Sequence, residues 1–178
     1  MFILVCGTSG SGKSFYAEER LKNFGGSKKF YIATAKIYDG DEEMLRHVKR
    51  HQAMRKDKGF ITIEKYIDLG SIKIPGGSSV LIEALTTWLA NEMFEGETNF
   101  SAAEKIFNDL QILKAKCENI ILVSDDIFSD GIIYDGPTEK YIRALAELTI
   151  KFAAEADEVI ECVAGLNIEL EVNTNERN

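Results

Sequence analysis

The eight residues Gly7-Thr8-Ser9-Gly10-Ser11-Gly12-Lys13-Ser14 constrain this chain more than any other stretch, because they match Gly-x-x-x-x-Gly-Lys-[Ser/Thr] at every required position. They follow the apolar run Phe2–Cys6 and open the helix-patterned stretch Lys13–Asn23. In a strand–loop–helix setting, glycines let the backbone curl so that successive N–H groups face phosphate oxygens. The following helix adds its positive end. The motif therefore predicts a nucleoside triphosphate site, with the Lys13 ammonium on the terminal phosphates and the Ser14 hydroxyl on Mg2+. A second acid from another strand end is needed for the ion or its water. Glu83 and the pair Asp125-Asp126 both stand at such positions, though either can be a solvated acid at a strand end.

The rest of the pattern is that of an α/β domain. Strands are expected at Phe2–Cys6, Phe30–Thr34, Val80–Ala84, Ile120–Ser124 and Val159–Val163, with weaker ones near Ile61–Ile63 and Ile168–Val172. The main runs are continuously apolar, as expected of strands covered on both faces. Helices are expected at Lys13–Asn23, Glu42–Arg55, Thr86–Phe94, Ser101–Glu118 and Pro137–Ala156. In the fourth, Ala103, Ile106, Phe107, Leu110, Leu113 and Cys117 form one stripe, and Ser101 with Glu104 reads as a capping box. Alternation of this kind predicts a P-loop NTPase-type three-layer sandwich on a mainly parallel sheet. Residues 1–172 make one nucleotide-binding domain and 173–178 a polar tail.

Composition narrows the partners. The formal net charge of −8 disfavours a nucleic-acid partner, which calls for a basic face. No apolar run approaches the roughly 20 residues of a membrane span, and Met1–Cys6 is too short for a signal peptide. The three cysteines, Cys6, Cys117 and Cys162, lie in apolar surroundings and read as reduced core residues of a cytoplasmic protein. A local basic stretch carries Arg46, Lys49, Arg50, Arg55, Lys56 and Lys58. It is either a solvated helix face or a site for anionic phosphates. The two histidines, His47 and His51, are four apart and share a helix face. They can be a surface pair, two zinc ligands lacking a third, or a source of the imidazole that attacks an α-phosphate.

With these segments in order, the chain resembles the bifunctional adenosylcobinamide kinase / adenosylcobinamide-phosphate guanylyltransferase family of cobalamin biosynthesis. The resemblance rests on Ile3-Leu4-Val5-Cys6-Gly7 with the loop, on Tyr31-Ile32-Ala33-Thr34-Ala35, and on Asp41-Glu42-Glu43-Met44 with Val48 and His51-Gln52-Ala53-Met54-Arg55. It continues through Phe60-Ile61-Thr62-Ile63-Glu64 and the stretch from Val80 to Asn91. It implies GTP (or ATP) held by Gly7–Ser14, Ala33, Thr34, Ala35, Gln52, Ala53, Met54, Arg55, Glu64 and Glu83, with Ser14 and Glu83 on magnesium. It implies catalytic roles for Lys13 and for His51, which carries the guanylyl group in transit to a cobinamide phosphate. It also implies a corrinoid substrate and a trimer. The chain departs from the family pattern at Asp125-Asp126-Ile127-Phe128 and over Ile142–Thr149, so the alternative is a diverged P-loop kinase or NTPase for another small molecule.

Overall fold

A computed structural model describes residues 1–25, 28–37, 40, 42, 46, 48–49, 58–96, 98–128, 131–132 and 134–171. His47, His51 and Gln52–Arg55 lie outside the described residues, as does the expected polar tail. Of the helix expected over Glu42–Arg55, residues 42, 46, 48 and 49 are described and are helical.

The strands are β1 (Phe2–Gly7), β2 (Lys29–Ala33), β3 (Ile61–Glu64), β4 (Ser79–Glu83), β5 (Asn119–Asp125), β6 (Glu158–Val163) and β7 (Leu166–Leu170). The helices are α1 (Lys13–Asn23), α2 (Leu85–Phe94), α3 (Ala102–Lys116) and α4 (Gly136–Glu155), with a 3-10 turn at Leu69–Ser71. The sheet order is β3-β2-β4-β5-β1-β6-β7. All neighbours are parallel except β6 and β7. That is the mainly parallel α/β sheet the pattern predicts. The last strand begins two residues earlier than expected because the β6–β7 connection is a tight hairpin. Its central residues Ala164 and Gly165 both have positive φ, 52° and 81°, as a type I′ turn requires.

Continuous apolar strands follow from burial on both faces. Along β1, Phe2 and Leu4 join the core beneath α2, α3 and α4, while Ile3 and Val5 join the core beneath α1. Phe152 of α4 is fully buried between the Phe2 ring, edge-on at 6.2 Å, and the Phe107 ring, stacked at 5.9 Å. Cys162 is buried, Cys6 and Cys117 are half-buried, and all three are free thiols. Burial pushes the Cys6 thiol up to about 12, helped by the nearby Asp126 carboxylate, and Cys117 up to about 11. They remain protonated core residues.

One expectation fails at α3. Ser101 stands at the N-cap with φ −92° and ψ 7° and makes no side-chain capping bond. A capping side chain needs extended backbone at that position. Here Asn99 Oδ1 instead accepts the Ser101 N–H at 2.9 Å, which turns the chain before the helix.

Candidate active site

The phosphate loop sits between the carboxyl end of β1 and the start of α1, at the end of the sheet where parallel α/β folds bind ligands. Its first glycine is imposed by crowding. A Cβ on Gly7 would lie 2.5 Å from Ser11 Oγ and 2.6 Å from the Cys162 carbonyl oxygen. Gly12 caps α1 with φ 99°, a conformation side-chain-bearing residues resist. The first backbone bond of α1 runs from the Tyr16 N–H to the Gly12 carbonyl at 3.0 Å. The N–H groups of Lys13, Ser14 and Phe15 precede it and have no intrahelical acceptor. No acidic residue occupies the first turn of α1. The helix thus presents amides and a positive dipole end to an anion, with no carboxylate of its own to compete.

The β6–β7 hairpin braces this loop. Gly165 N–H donates to the Ser11 carbonyl at 3.0 Å, and Asp126 N–H donates to the Gly7 carbonyl at 2.9 Å. Ser11 Oγ is buried and has no hydrogen-bond partner among the described residues, a polar atom that calls for one.

Charge converges above the loop. Lys13, only 6% exposed, donates to the Thr8 carbonyl at 2.9 Å and pairs with Asp125 Oδ1 at 2.7 Å. The other Asp125 oxygen accepts the Thr86 hydroxyl at 2.7 Å. The Tyr141 hydroxyl donates in turn to the Thr86 carbonyl at 3.0 Å. Burial, with the Asp125 carboxylate nearby, pushes the Tyr141 phenol up to about 12, so it stays a neutral donor. Glu83 is held from two sides: Oε1 accepts the Ser14 hydroxyl, and Oε2 accepts the Tyr31 hydroxyl at 2.5 Å. Ser14 and Glu83 bring a hydroxyl and a carboxylate oxygen into direct contact. These are the hard oxygen donors that suit magnesium, which is held by few protein oxygens together with phosphates and water. The donor set fits the ion. Among the described residues, no cluster of three or more His, Cys, Asp or Glu side chains could hold a metal unaided.

The strand ends that carry these acids are tied together from behind. Thr34 is fully buried. Its hydroxyl donates to the Ala84 carbonyl at 2.9 Å, accepts the Ala84 N–H at 2.7 Å and meets Thr87 Oγ1 at 2.5 Å. Asn91 of α2 donates its amide to the Thr34 carbonyl at 2.8 Å and to the Tyr66 carbonyl at 3.1 Å. One side chain thereby joins the loops after β2 and β3 to α2. Replacing Asn91 with alanine strands two carbonyls, and stability to chemical denaturation is expected to fall by about 2 kcal/mol. A loss under roughly 0.5 kcal/mol would contradict this account.

The residues expected from sequence divide as follows. Gly7–Ser14, Glu83 and Asp125 come together at one point. Ala33 lies in register with both Glu64 and Glu83, so Glu64 stands two strand spacings from Glu83, about 10 Å along the same rim. Glu64 is exposed, and its Oε2 accepts the Tyr66 hydroxyl at 3.3 Å. Lys58, from the basic stretch, is taken up by α1: it pairs with the fully buried Glu18 at 2.9 Å and with Glu19 at 3.1 Å. The sequence reading assigned no role to Tyr31, Thr86, Tyr141 or Gly165. Tyr31 carried a faint signal, as a hydroxyl-bearing side chain within the buried run of β2. The other three contacts join distant elements and leave no periodic trace.

Comparison with known proteins adds the following. The family model described as cobinamide kinase / cobinamide phosphate guanyltransferase matches residues 3–170. A search of curated proteins found no match. Among solved structures, the ATPase domain of G40P is similar at TM-score 0.50 and 15% identity, covering 90% of this chain and 68% of that one. The flagellar accessory protein FlaH from Methanocaldococcus jannaschii is similar at TM-score 0.52 and 11% identity, covering 97% of this chain and 78% of that one. At identities this low the likeness speaks to the fold alone, an α/β fold of the P-loop type.

Proposed function

We propose, on the premise that the chain belongs to the cobinamide kinase / cobinamide phosphate guanyltransferase family, a transferase family matched over residues 3–170, that it carries out both reactions on one domain, residues 1–172. In the first, a nucleoside triphosphate phosphorylates the hydroxyl of the cobinamide aminopropanol arm. In the second, His51 attacks the α-phosphorus of GTP, an N–P bond forms and pyrophosphate leaves. The new corrinoid phosphate then attacks that phosphorus, breaks the N–P bond and departs as the GDP-linked corrinoid, returning His51. Nucleotide contacts are assigned to Gly7–Ser14, Ala33, Thr34, Ala35, Gln52–Arg55, Glu64 and Glu83.

The single observation that carries the reading is the meeting of Lys13, Ser14, Glu83 and Asp125 at the mouth of the β1–α1 loop. Lys13 and the amides at the start of α1 bind and orient the triphosphate. Ser14 and Glu83 would hold magnesium, which neutralises phosphate charge when bound. Tyr31 keeps Glu83 aimed at Ser14, and Thr86 keeps Asp125 aimed at Lys13. Lys13 is already partnered by a carboxylate, so a triphosphate calls for further cations. Arg46, Lys49, Arg50, Arg55 and Lys56 surround His51 in the sequence and meet that need. The family resemblance further suggests a trimer.

The test is direct. Purified protein incubated with cobinamide, GTP and magnesium should yield both cobinamide phosphate and cobinamide-GDP, resolved by chromatography. Nucleotide hydrolysis with neither corrinoid product would sink the reading and favour a kinase or NTPase for another small molecule.

A further inference from the structure

An open cleft of about 530 Å³ lies beside the phosphate loop, on the face of the sheet covered by α4. It is lined by Thr8 of the loop, Asp126 and Ile127 just beyond β5, and Tyr134, Thr138, Tyr141 and Ile142 around the start of α4. Three observations bear on what it takes. The first is position. Thr8 accepts the Lys13 ammonium through its carbonyl, and Asp126 follows the carboxylate that pairs with Lys13. The cleft therefore opens at the lysine end of the loop, where the terminal phosphates are held. The second is chemistry. Among the described residues its lining is mostly aromatic and aliphatic, with the side chains of Thr8 and Thr138, one carboxylate and no cation, so it suits an apolar stem with a hydroxyl better than another polyphosphate. The third is rigidity. Tyr141 is fixed through Thr86 to Asp125, so this wall is built onto the same network that aims Lys13.

We propose that this cleft is the acceptor subsite. It seats the hydroxyl-bearing amide arm of the corrinoid, the alkyl stem lying against Ile127, Tyr134 and Ile142, with the macrocycle outside. The proposal rests on the kinase reading above and adds a place for the acceptor. The alcohol oxygen then faces the terminal phosphate. It forms the new O–P bond as the bond from that phosphorus to the bridging oxygen breaks, the nucleoside diphosphate leaves with that oxygen, and the hydroxyl proton passes to water in the open cleft. An in-line acceptor of this kind is what phosphoryl transfer requires.

Two variants fill the cleft from successive turns of α4, Thr138→Trp and Ile142→Trp, and a third, Ile142→Ala, strips its wall without adding bulk. Steady-state phosphorylation of cobinamide and equilibrium binding of GTP are measured for each. The KM for cobinamide is expected to rise roughly tenfold in the tryptophan variants and roughly fivefold in Ile142→Ala, with GTP Kd unchanged. A loss of GTP affinity in all three would mean the cleft holds the nucleotide base, and would overturn the proposal. An unchanged cobinamide KM in Ile142→Ala and in either folded tryptophan variant would overturn it too. A wild-type protein that makes no cobinamide phosphate would instead remove the kinase reading itself.

Discussion

Lys13→Ala is expected to weaken GTP binding by roughly 150-fold, about 3 kcal/mol, the upper range for a hydrogen-bonded charge removed from its partner. Two effects of the same sign combine. The ammonium that would lie on the terminal phosphates is gone. Asp125, whose Oδ1 is 2.7 Å from Lys13 Nζ, is left as an uncompensated carboxylate facing the incoming triphosphate. The second effect is separable. Lys13→Ala with Asp125→Asn removes that repulsion and should recover part of the affinity, on the order of 1 kcal/mol at the effective dielectric of a protein surface. Calorimetric titration at fixed magnesium reads both numbers. Wild-type affinity in Lys13→Ala would contradict the assignment of the loop.

His51→Ala should abolish guanylyl transfer while sparing the kinase step. Incubated with GTP labelled at the α-phosphate, wild-type protein should acquire a covalent label that is acid-labile and base-stable, as a phosphoramidate is. Without the imidazole there is no nucleophile to form the N–P bond, and labelling should drop by a factor on the order of 10³ or more. Cobinamide phosphorylation should survive within a few-fold, because direct transfer from a triphosphate held by Gly7–Ser14 uses no histidine. His47→Ala serves as the control and should label normally. A label that persists in His51→Ala, or one stable to acid, would refute the covalent step.

The two predictions draw on different kinds of information. A role for Lys13 can be proposed from sequence because the loop spacing is local: eight consecutive residues between a strand and a helix carry the whole pattern. His51 rests on a motif resemblance, and its segment lies outside the described residues. The strands were legible for a related reason. A parallel strand covered on both faces needs an unbroken apolar run, and the β1, β2, β4, β5 and β6 runs were each bounded within a residue or so of the observed strands. Where a terminus depends on a cap, local reading failed. Ser101-x-x-Glu104 has the composition of a capping box, yet Asn99 turned the backbone first.

The sequence by itself determined that a glycine-rich loop of the phosphate-binding pattern follows the first strand, that an α/β sheet surrounds it, and that acids stand at the ends of β4 and β5. Those facts follow from short-range spacing and from periodic burial, both of which are written residue by residue. Only the tertiary structure decided that Asp125 pairs with Lys13 while Glu83 meets Ser14 and Tyr31, that Thr34 and Asn91 lock the strand ends behind them, and that an apolar cleft opens beside Thr8. Sheet order is the physical reason. Inserting β5 between β1 and β4 brings residues from four distant segments to one rim, and no local pattern records which strands will be neighbours.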